Sequence, residues 1–138
     1  MDLQSAIDFA ADRSKGVILT IKANGLPHAS NIVYATFDGA VHASVTDRRA
    51  KTANVRRDPR AALHVSSDDF RSWVVLEGDV RLSPVATHPM DEAATMLRRV
   101  YEAIAGPHPD WDEFDRAMID QRRLVLTIQP EGVYGQAT

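Results

Sequence analysis

The chain contains no cysteine among its 138 residues. Disulfides, thiol catalysis and cysteine-based zinc or iron–sulfur centres are therefore excluded. Its five histidines include neither an HxH pair nor a pair at helical i, i+4 spacing. Ligands for a metal would have to be gathered from distant parts of the chain, so the sequence predicts no metal site.

Long apolar runs are also missing, and none approaches the roughly 20 residues of a membrane-spanning helix. The acidic start, "MDLQSAIDFAADRSKG", lacks the basic residues and the apolar block of a secretory signal. We therefore expect a cytoplasmic protein with no membrane partner. The apolar content of 44% and the charged content of 25% are ordinary for a globular protein, and the length predicts one domain over residues 1–138.

Tight-turn signals organise the first third of the chain. Asn24-Gly25 and Asp38-Gly39 separate three apolar, β-branched runs, which predicts a meander of strands at 16–22, 28–37 and 40–46. Further strands are predicted at 60–65, at 72–82 with a bulge or bend at Gly78, and within 122–135. Helices are predicted at the N-terminus, over a basic segment, at 90–105 and at 110–119.

This order of elements predicts an α+β, mainly β protein. Six to seven antiparallel strands in so short a chain favour closure into a small barrel with flanking helices, because closure removes exposed strand edges.

The basic segment is "TDRRAKTANVRRDPR", residues 46–60. It holds six of the sixteen basic residues of a chain whose formal net charge is -3. We expect Asp47 to cap a helix that ends at Asp58-Pro59. Arg48, Arg49 and Lys51 would then lie in the first turn, where the helix dipole disfavours cations, unless an anion binds there.

Neutral polar groups surround that helix start. Thr52 and Asn54 lie on the same turns, and His42, Ser44 and Thr46 share one face of the preceding strand by two-residue alternation. A polar strand face that leads into a cationic helix start is suited to one end of a phosphorylated small molecule.

Two other interpretations remain open from the residues alone. The basic run could be a solvated helix face paired with the acidic segment 109–120, or it could bind nucleic acid. Nucleic acid is disfavoured by the pI of about 5.9 and by the lack of aromatic residues within the run.

Several stretches resemble a known family. They are "LTIKANGLPHASNIVY", "RAKTANVRRDPRAALHV", "WVVLEGDVRLSP" and "YEAIAGPHPDWDEFDRAMIDQRRLVLTIQPEGVYG". In this order they resemble the flavin and deazaflavin oxidoreductases of the pyridoxamine-5'-phosphate-oxidase-like superfamily, and within it the actinobacterial branch that uses coenzyme F420. The resemblance implies an FMN-binding split β-barrel and a homodimer with two cofactors at the subunit interface.

The resemblance also implies roles for individual residues. Arg49 and Lys51 would hold the cofactor's phosphate or acidic tail. The other residues implied to lie at the cofactor are Thr52, Asn54, Ser44, Thr46, Ser30, Asn31, Tyr34, Trp73 and Arg123. Trp73 and Arg123 would approach the cofactor from a strand edge, which belongs either to the same subunit or to the partner subunit.

The implied activity is hydride transfer from reduced F420 to a small conjugated or quinone-like substrate. FMN is the alternative cofactor, and a non-enzymatic cofactor or haem-binding barrel is the alternative function. Arg48, Arg56, Arg57 and Arg60 could reach the acidic tail of F420, and Tyr34, a serine or solvent could deliver a proton. The resemblance does not include the C-terminal segment that carries substrate-phosphate contacts in true pyridoxamine phosphate oxidases, so vitamin B6 oxidation is not expected.

Overall fold

A computed structural model describes residues 1–137. Over these residues the chain forms four helices and eight strands. The helices are α1 (Leu3–Ala11), α2 (Ala50–Arg57), α3 (Glu92–Ala105) and α4 (Trp111–Asp120). The strands are β1 (Lys15–Ile21), β2 (Pro27–Val33), β3 (Ala35–Phe37), β4 (Ala40–Thr46), β5 (Arg60–Ser66), β6 (Trp73–Leu82), β7 (Arg123–Ile128) and β8 (Gly132–Gln136).

The strands form one antiparallel, curled sheet in the order β2-β1-β5-β6-β7-β4-β3, and β8 pairs with β6. This confirms the predicted α+β split barrel. The strand count exceeds the prediction because the return strand expected at 28–37 is divided. Its first part, β2, pairs with β1, while its second part, β3, pairs with β4. The simple three-stranded meander is therefore wrong, because the chain passes from one half of the barrel to the other at Tyr34.

Gly78 lies where β6 changes neighbours. Along one edge of β6, residues 73–77 pair with β8 and residues 80–82 pair with β7. A Cβ at Gly78 would overlap the carbonyl of Gln129, in the segment that links β7 to β8. The glycine thus permits the close approach that joins the two halves. The long strand predicted at 72–82 is confirmed, and its register with β5 runs through Gly78 without the bulge that was one of the two expectations there.

Two apolar cores lie on either side of the curved sheet. One fills the barrel and includes Ile18, Leu63, Leu76 and Leu126. The other lies between β7 and the pair α3–α4 and includes Leu97, Phe114 and Val125 at its centre. Because α3 and α4 are held against one end of β4 and β7, they stand beside the start of α2, where the candidate site lies.

Candidate functional site

A pocket of about 420 Å³ lies between the outermost strand β2, the ends of β4 and β7, and the helices α3 and α4. We call it the cation pocket. Its lining residues are Asn31, Ile32, Val33, Ser44, Lys51, Leu97, Val100, Tyr101, Ile104, Phe114, Met118 and Arg123. One wall is apolar and aromatic and the opposite wall carries two cations, which suits a ligand with a flat body and an anionic end.

Two cations, Lys51 and Arg123, line this pocket, and the charge of Arg49 acts on both of them. These three residues are here called the cation triad. Burial, the charge of Arg49 and the charge of Arg123 lower the pKa of Lys51. Burial and the charge of Arg49 also lower the pKa of Arg123. In residues 1–137, no member of the triad forms an ion pair with a carboxylate. The triad therefore holds positive charge that an anionic ligand would neutralise.

Asp47 forms ion pairs with two neighbouring arginines that do not belong to the triad. Its carboxylate lies 2.6 Å from Nη2 of Arg56 and 3.0 Å from Nη2 of Arg122. Hydrogen bonds from these two guanidinium groups hold the pKa of Asp47 below its ordinary value. The prediction that Asp47 caps α2 is therefore wrong, because both its oxygens are engaged by arginines and Arg49 occupies the N-cap position.

A left-handed residue brings Arg123 to the pocket. Arg122 has a φ of 54°, and its carbonyl accepts a hydrogen bond from the N–H of Asp47 at 3.0 Å. This turn directs Arg122 onto Asp47 and Arg123 into the cation pocket, where its Nη1 donates to the carbonyl of Ser44 at 3.4 Å. The sequence pair Arg122-Arg123 is thereby divided between an ion pair and the site.

The later cations of the basic segment have partners of their own. Arg57 donates to the carbonyl of Ile21 at 2.7 Å and to Oδ1 of Asn54 at 3.0 Å. Arg60 forms an ion pair with Asp58 at 2.8 Å. With Arg56 held by Asp47, the expectation that these arginines extend along an anionic tail is not supported by their contacts.

The acidic segment 109–120 does not neutralise the basic helix. Its buried Asp115 instead receives two hydrogen bonds from Arg98 of α3, one of them from Nε at 2.9 Å. The interpretation of the basic run as a face paired with this segment is therefore wrong.

The start of α2 differs from the starts of the other helices. Asp2, Asp91 and Asp110 cap α1, α3 and α4 with side-chain hydrogen bonds. Arg49 at the N-cap of α2 makes no such bond. Since the first N–H groups of a helix have no partner within it, this end of α2 combines free donors with the cation triad.

Thr52 and Asn54 anchor α2 instead of facing a ligand. The fully buried hydroxyl of Thr52 donates to the carbonyl of Thr46 at 2.8 Å. Nδ2 of Asn54 donates to Oγ1 of Thr20 at 3.1 Å in the barrel interior. The structure thus places both residues beneath the site, where they hold the helix that presents Lys51.

The polar residues of β2 and β4 are only partly brought together. Ser44 lines the cation pocket, and Thr46 lies half-buried at the end of the same strand. Ser30 and Asn31 point to opposite faces of β2, because side chains alternate along a strand. Asn31 is exposed and lines the pocket, whereas Ser30 faces the interior with its hydroxyl buried and without a partner among the described residues.

Tyr34 and Trp73 lie away from the cation pocket. Tyr34 is fully buried, and its hydroxyl donates to the carbonyl of Ala10 at 2.8 Å. Burial raises the pKa of that hydroxyl. Trp73 stacks on His64 with ring centroids 5.7 Å apart, on the outer face of the sheet. The structure therefore places Tyr34 in the core and Trp73 on another surface.

The apolar wall of the pocket could not be recognised from sequence as part of a site. Tyr101 of α3 contacts Phe114 of α4 and His108 of the intervening loop, with centroids 5.2 and 5.1 Å apart. Helical spacing identified the apolar face of α3 but gave no sign that the edge of that face is left uncovered. Only the packing of α3 and α4 against β7 shows this.

A sequence model described as pyridoxamine 5'-phosphate oxidase matches residues 6–137, nearly the whole chain. The chain belongs to the pyridoxamine 5'-phosphate oxidase family. Membership establishes the split barrel and the association of this family with flavins and related cofactors, and it leaves the ligand of this chain to be argued from its own residues.

Solved structures agree on the fold. A conserved hypothetical protein from Mycobacterium tuberculosis is 24% identical with a TM-score of 0.77, and the match covers 98% of this chain and 84% of that one. A protein named F420 reductase is 18% identical with a TM-score of 0.69, covering 92% and 94%. A heme-binding protein from Mycobacterium smegmatis is 22% identical with a TM-score of 0.70, covering 97% and 53%. These likenesses show the family's fold and not one shared ligand.

Among the residues that the structure describes, no group of three or more histidine, aspartate or glutamate side chains could hold a metal ion. No helix in residues 1–137 is long and apolar enough to cross a membrane.

Proposed function

We propose that this protein is a reductase that uses reduced coenzyme F420 and transfers a hydride to a small conjugated or quinone-like acceptor. The observation that carries the proposal is the cation triad. None of its members forms an ion pair with a carboxylate among the described residues, and two of them, Lys51 and Arg123, line a pocket with an aromatic wall. The structural likeness to an F420 reductase supports the choice of coenzyme.

The residues at the pocket fit the chemistry of this coenzyme. Its phosphate and carboxylates match Arg49, Lys51 and Arg123, and Ser44 and Thr46 add neutral groups beside them. Charge-assisted hydrogen bonds to such oxygens are about twice as strong as neutral ones, so the triad supplies most of the binding energy at this end. Asn31 and the wall formed by Tyr101 and Phe114 are suited to the flat ring.

The coenzyme supplies a hydride when bound, and the chain supplies position and shielding. The triad fixes the anionic end, and the apolar side chains of α3 and α4 exclude water from the ring. Tyr34 is unsuited to proton delivery, because its hydroxyl is buried and donates to Ala10. The hydroxyl of Ser44, or solvent, is the better candidate.

FMN is the second candidate cofactor, since its single phosphate suits the same triad. A non-enzymatic carrier, including one for haem, is the second candidate function, and the likeness to a heme-binding protein supports it. Each alternative predicts a different ligand with the highest affinity, so one parallel titration separates them.

We further propose that the protein acts as a homodimer. The outer face of the sheet carries Tyr134, 51% exposed, packed edge-on against Trp73, and Val33, 49% exposed, lies on β2, three strands away from β6. Such aromatic and aliphatic exposure is typical of an interface core. Sedimentation velocity at micromolar concentration should show a dimer that Tyr134→Asp dissociates, whereas a wild-type monomer that binds F420 fully would contradict this proposal.

The proposed function is tested by titrating the purified protein with F420, FMN and haemin while following ligand fluorescence or absorbance. We expect F420 to bind at micromolar concentration or tighter, and the protein loaded with reduced F420 to reduce a quinone such as menadione. Tighter binding of FMN or haemin would favour the alternatives. Failure of all three ligands to bind at 100-fold excess would overturn the proposed function.

A further inference from the structure

The chain contains three lysines, and Lys51 differs from the other two in its surroundings. Lys15 and Lys22 are exposed, at the start of β1 and just after its end, whereas Lys51 is half-buried in the first turn of α2 and lines the cation pocket. Its ammonium has no carboxylate partner among the described residues. The ligand-free pocket therefore holds a lysine amine that no acidic side chain neutralises.

The surroundings of Lys51 favour the uncharged form of its amine. Burial, the charge of Arg49 and the charge of Arg123 lower the pKa of Lys51. Arg123 lines the same pocket from β7, and Arg49 is the N-cap residue of α2. The phenol of Tyr101 is the other titratable group in the lining. An uncharged lysine amine is a nucleophile, and proteins activate it by burial and by neighbouring cations.

The two arginines beside this amine favour an anionic reagent of one kind. In an acyl phosphate the phosphate is bonded directly to the acyl carbon, so a phosphate held by Arg49 and Arg123 brings that carbon to Lys51. In an acyl-coenzyme A the whole pantetheine arm separates the phosphates from the acyl carbon, and an uncharged ester has no group for the arginines to hold. The triad is therefore matched to an acyl phosphate.

From this arrangement we propose that Lys51 is a modification site, acylated by acyl phosphates that bind at the cation triad. The uncharged Nζ attacks the acyl carbon and forms the N–C bond, while the bond from that carbon to the phosphate oxygen breaks. Phosphate leaves with the electron pair of that bond, and the nitrogen loses a proton to water. The products are an amide on Lys51 and inorganic phosphate. Binding of the phosphate beside the amine supplies the rate, because it makes the attack intramolecular.

Acylation closes the pocket to the coenzyme, and this consequence rests on the proposed function, whereas the acylation rests on the triad alone. The amide has no positive charge and one N–H in place of the three donors of an ammonium, and the acyl group occupies space next to Ser44. The acylated protein should bind F420 at least about tenfold more weakly, because one charged hydrogen-bond donor is lost.

The test uses the coenzyme-free protein and acetyl phosphate, with acetylation of each lysine followed over time by peptide mass spectrometry. Lys15 and Lys22 are internal controls in the same sample. We expect Lys51 to react at least about tenfold faster than either of them. The N-hydroxysuccinimide ester of acetic acid, which is uncharged, and acetyl-coenzyme A are the comparison reagents, and each should show a clearly smaller preference for Lys51.

Competition and variants decide whether the phosphate is held at the triad. Inorganic phosphate should slow acetylation of Lys51 by acetyl phosphate more than sodium chloride at the same ionic strength does. Arg49→Met and Arg123→Met should each lower the rate at Lys51 about five- to tenfold. Arg60→Met removes an arginine that is paired with Asp58 and should leave the rate unchanged. Circular dichroism checks that the variants fold, and the competition experiment needs no variant.

Equal acetylation of the three lysines would overturn the proposal. So would an acetylation rate at Lys51 that is indifferent to Arg49, Arg123 and added phosphate, or an equal preference for Lys51 with the uncharged ester. These rates are measured without coenzyme, so failure of F420 to bind the unmodified protein would overturn the proposed function and leave the modification site standing. F420 that binds the unmodified and the acetylated protein equally well would overturn the closure of the pocket.

Discussion

The two ends of α2 treat positive charge in opposite ways. At its start, Arg49 and Lys51 stand where the helix dipole disfavours cations, and together with Arg123 they have no carboxylate partner in residues 1–137. At its end, Arg56 and Arg57 stand where the dipole favours cations, and each is held by protein oxygens. The contrast separates cations that stabilise the fold from cations that are available to a ligand.

The largest expected effect is a loss of coenzyme binding when the start of the helix is neutralised. The double variant Arg49→Met with Lys51→Met should weaken F420 binding at least about 100-fold, because hydrogen bonds to charged groups contribute about 1.5–3 kcal/mol each. The matched control, Arg56→Met with Arg60→Met, removes the same charge from the paired cations and should change the Kd less than about threefold. Equal losses in both variants would show that only net charge matters.

A smaller effect on F420 binding is expected from Asp47→Asn, and its direction distinguishes a positioning role from an effect of charge alone. Asp47→Asn keeps the shape and the backbone N–H but releases Arg56 and Arg122 and makes the protein more positive. Charge alone predicts tighter binding of an anion. We expect binding about tenfold weaker, because the turn at Arg122 that directs Arg123 into the pocket is loosened. Asp58→Asn is the control that adds the same charge elsewhere, and tighter F420 binding in Asp47→Asn would refute the positioning role.

Lys51 should also reduce the stability of the ligand-free protein. Lys51→Met keeps the half-buried stem and removes the crowded charge, so the free energy of unfolding at pH 7 should rise by a few tenths of a kcal/mol up to about 1. Because the folded state lowers the pKa of Lys51 from 10.5, the unfolded state binds more protons just below that pH. Wild-type stability relative to Lys51→Met should therefore rise with pH in that window. A difference in unfolding free energy between the two proteins that stays constant up to pH 10.5 would contradict this account.

The smallest effect should appear at the other end of the helix and at acid pH. Hydrogen bonds from Arg60 lower the pKa of Asp58 from 3.8 to about 2. The stabilisation from this pair is present above pH 3.8 and is lost as the pH falls toward 2. Urea unfolding at pH 5 and pH 2.5 should show a smaller acid-induced loss in Asp58→Asn than in the wild type. Removing positive charge from the start of α2 should therefore stabilise the protein, whereas breaking the ion pair between Asp58 and Arg60 after its end should destabilise it.

The periodic features of the fold were predictable from sequence. The turns at Asn24-Gly25 and Asp38-Gly39, the helix α3 and the end of α2 before Pro59 all follow from local residues. The division of the return strand at Tyr34 was not predictable, because each part pairs with its neighbour in sequence, β2 with β1 and β3 with β4, as an undivided meander would also require. A continuous run of strand-forming residues carries no mark of the place where its partner changes.

The candidate site was predictable only in part, for the same reason. The density of cations indicated an anion site, which stays a prediction, and Lys51, Ser44 and Arg123 do line one pocket. Their separation from Arg56 and Arg60 depends on Asp47 and Asp58, and ion pairing across turns has no sequence periodicity. Thr52 and Tyr34 show the converse, since hydroxyls that looked available to a ligand donate to the backbone carbonyls of Thr46 and Ala10.

The strand β6 belongs to both halves of the barrel, and this arrangement determines how the protein unfolds. Residues that face the first core and residues that pair with β7, next to the second core, lie on one uninterrupted backbone. Loss of either core would strip hydrogen bonds from the same strand, so the amides of β6 should exchange with deuterium only when the whole molecule opens. Two cores built on a common strand would then melt in one cooperative step, with a calorimetric enthalpy equal to the van't Hoff enthalpy.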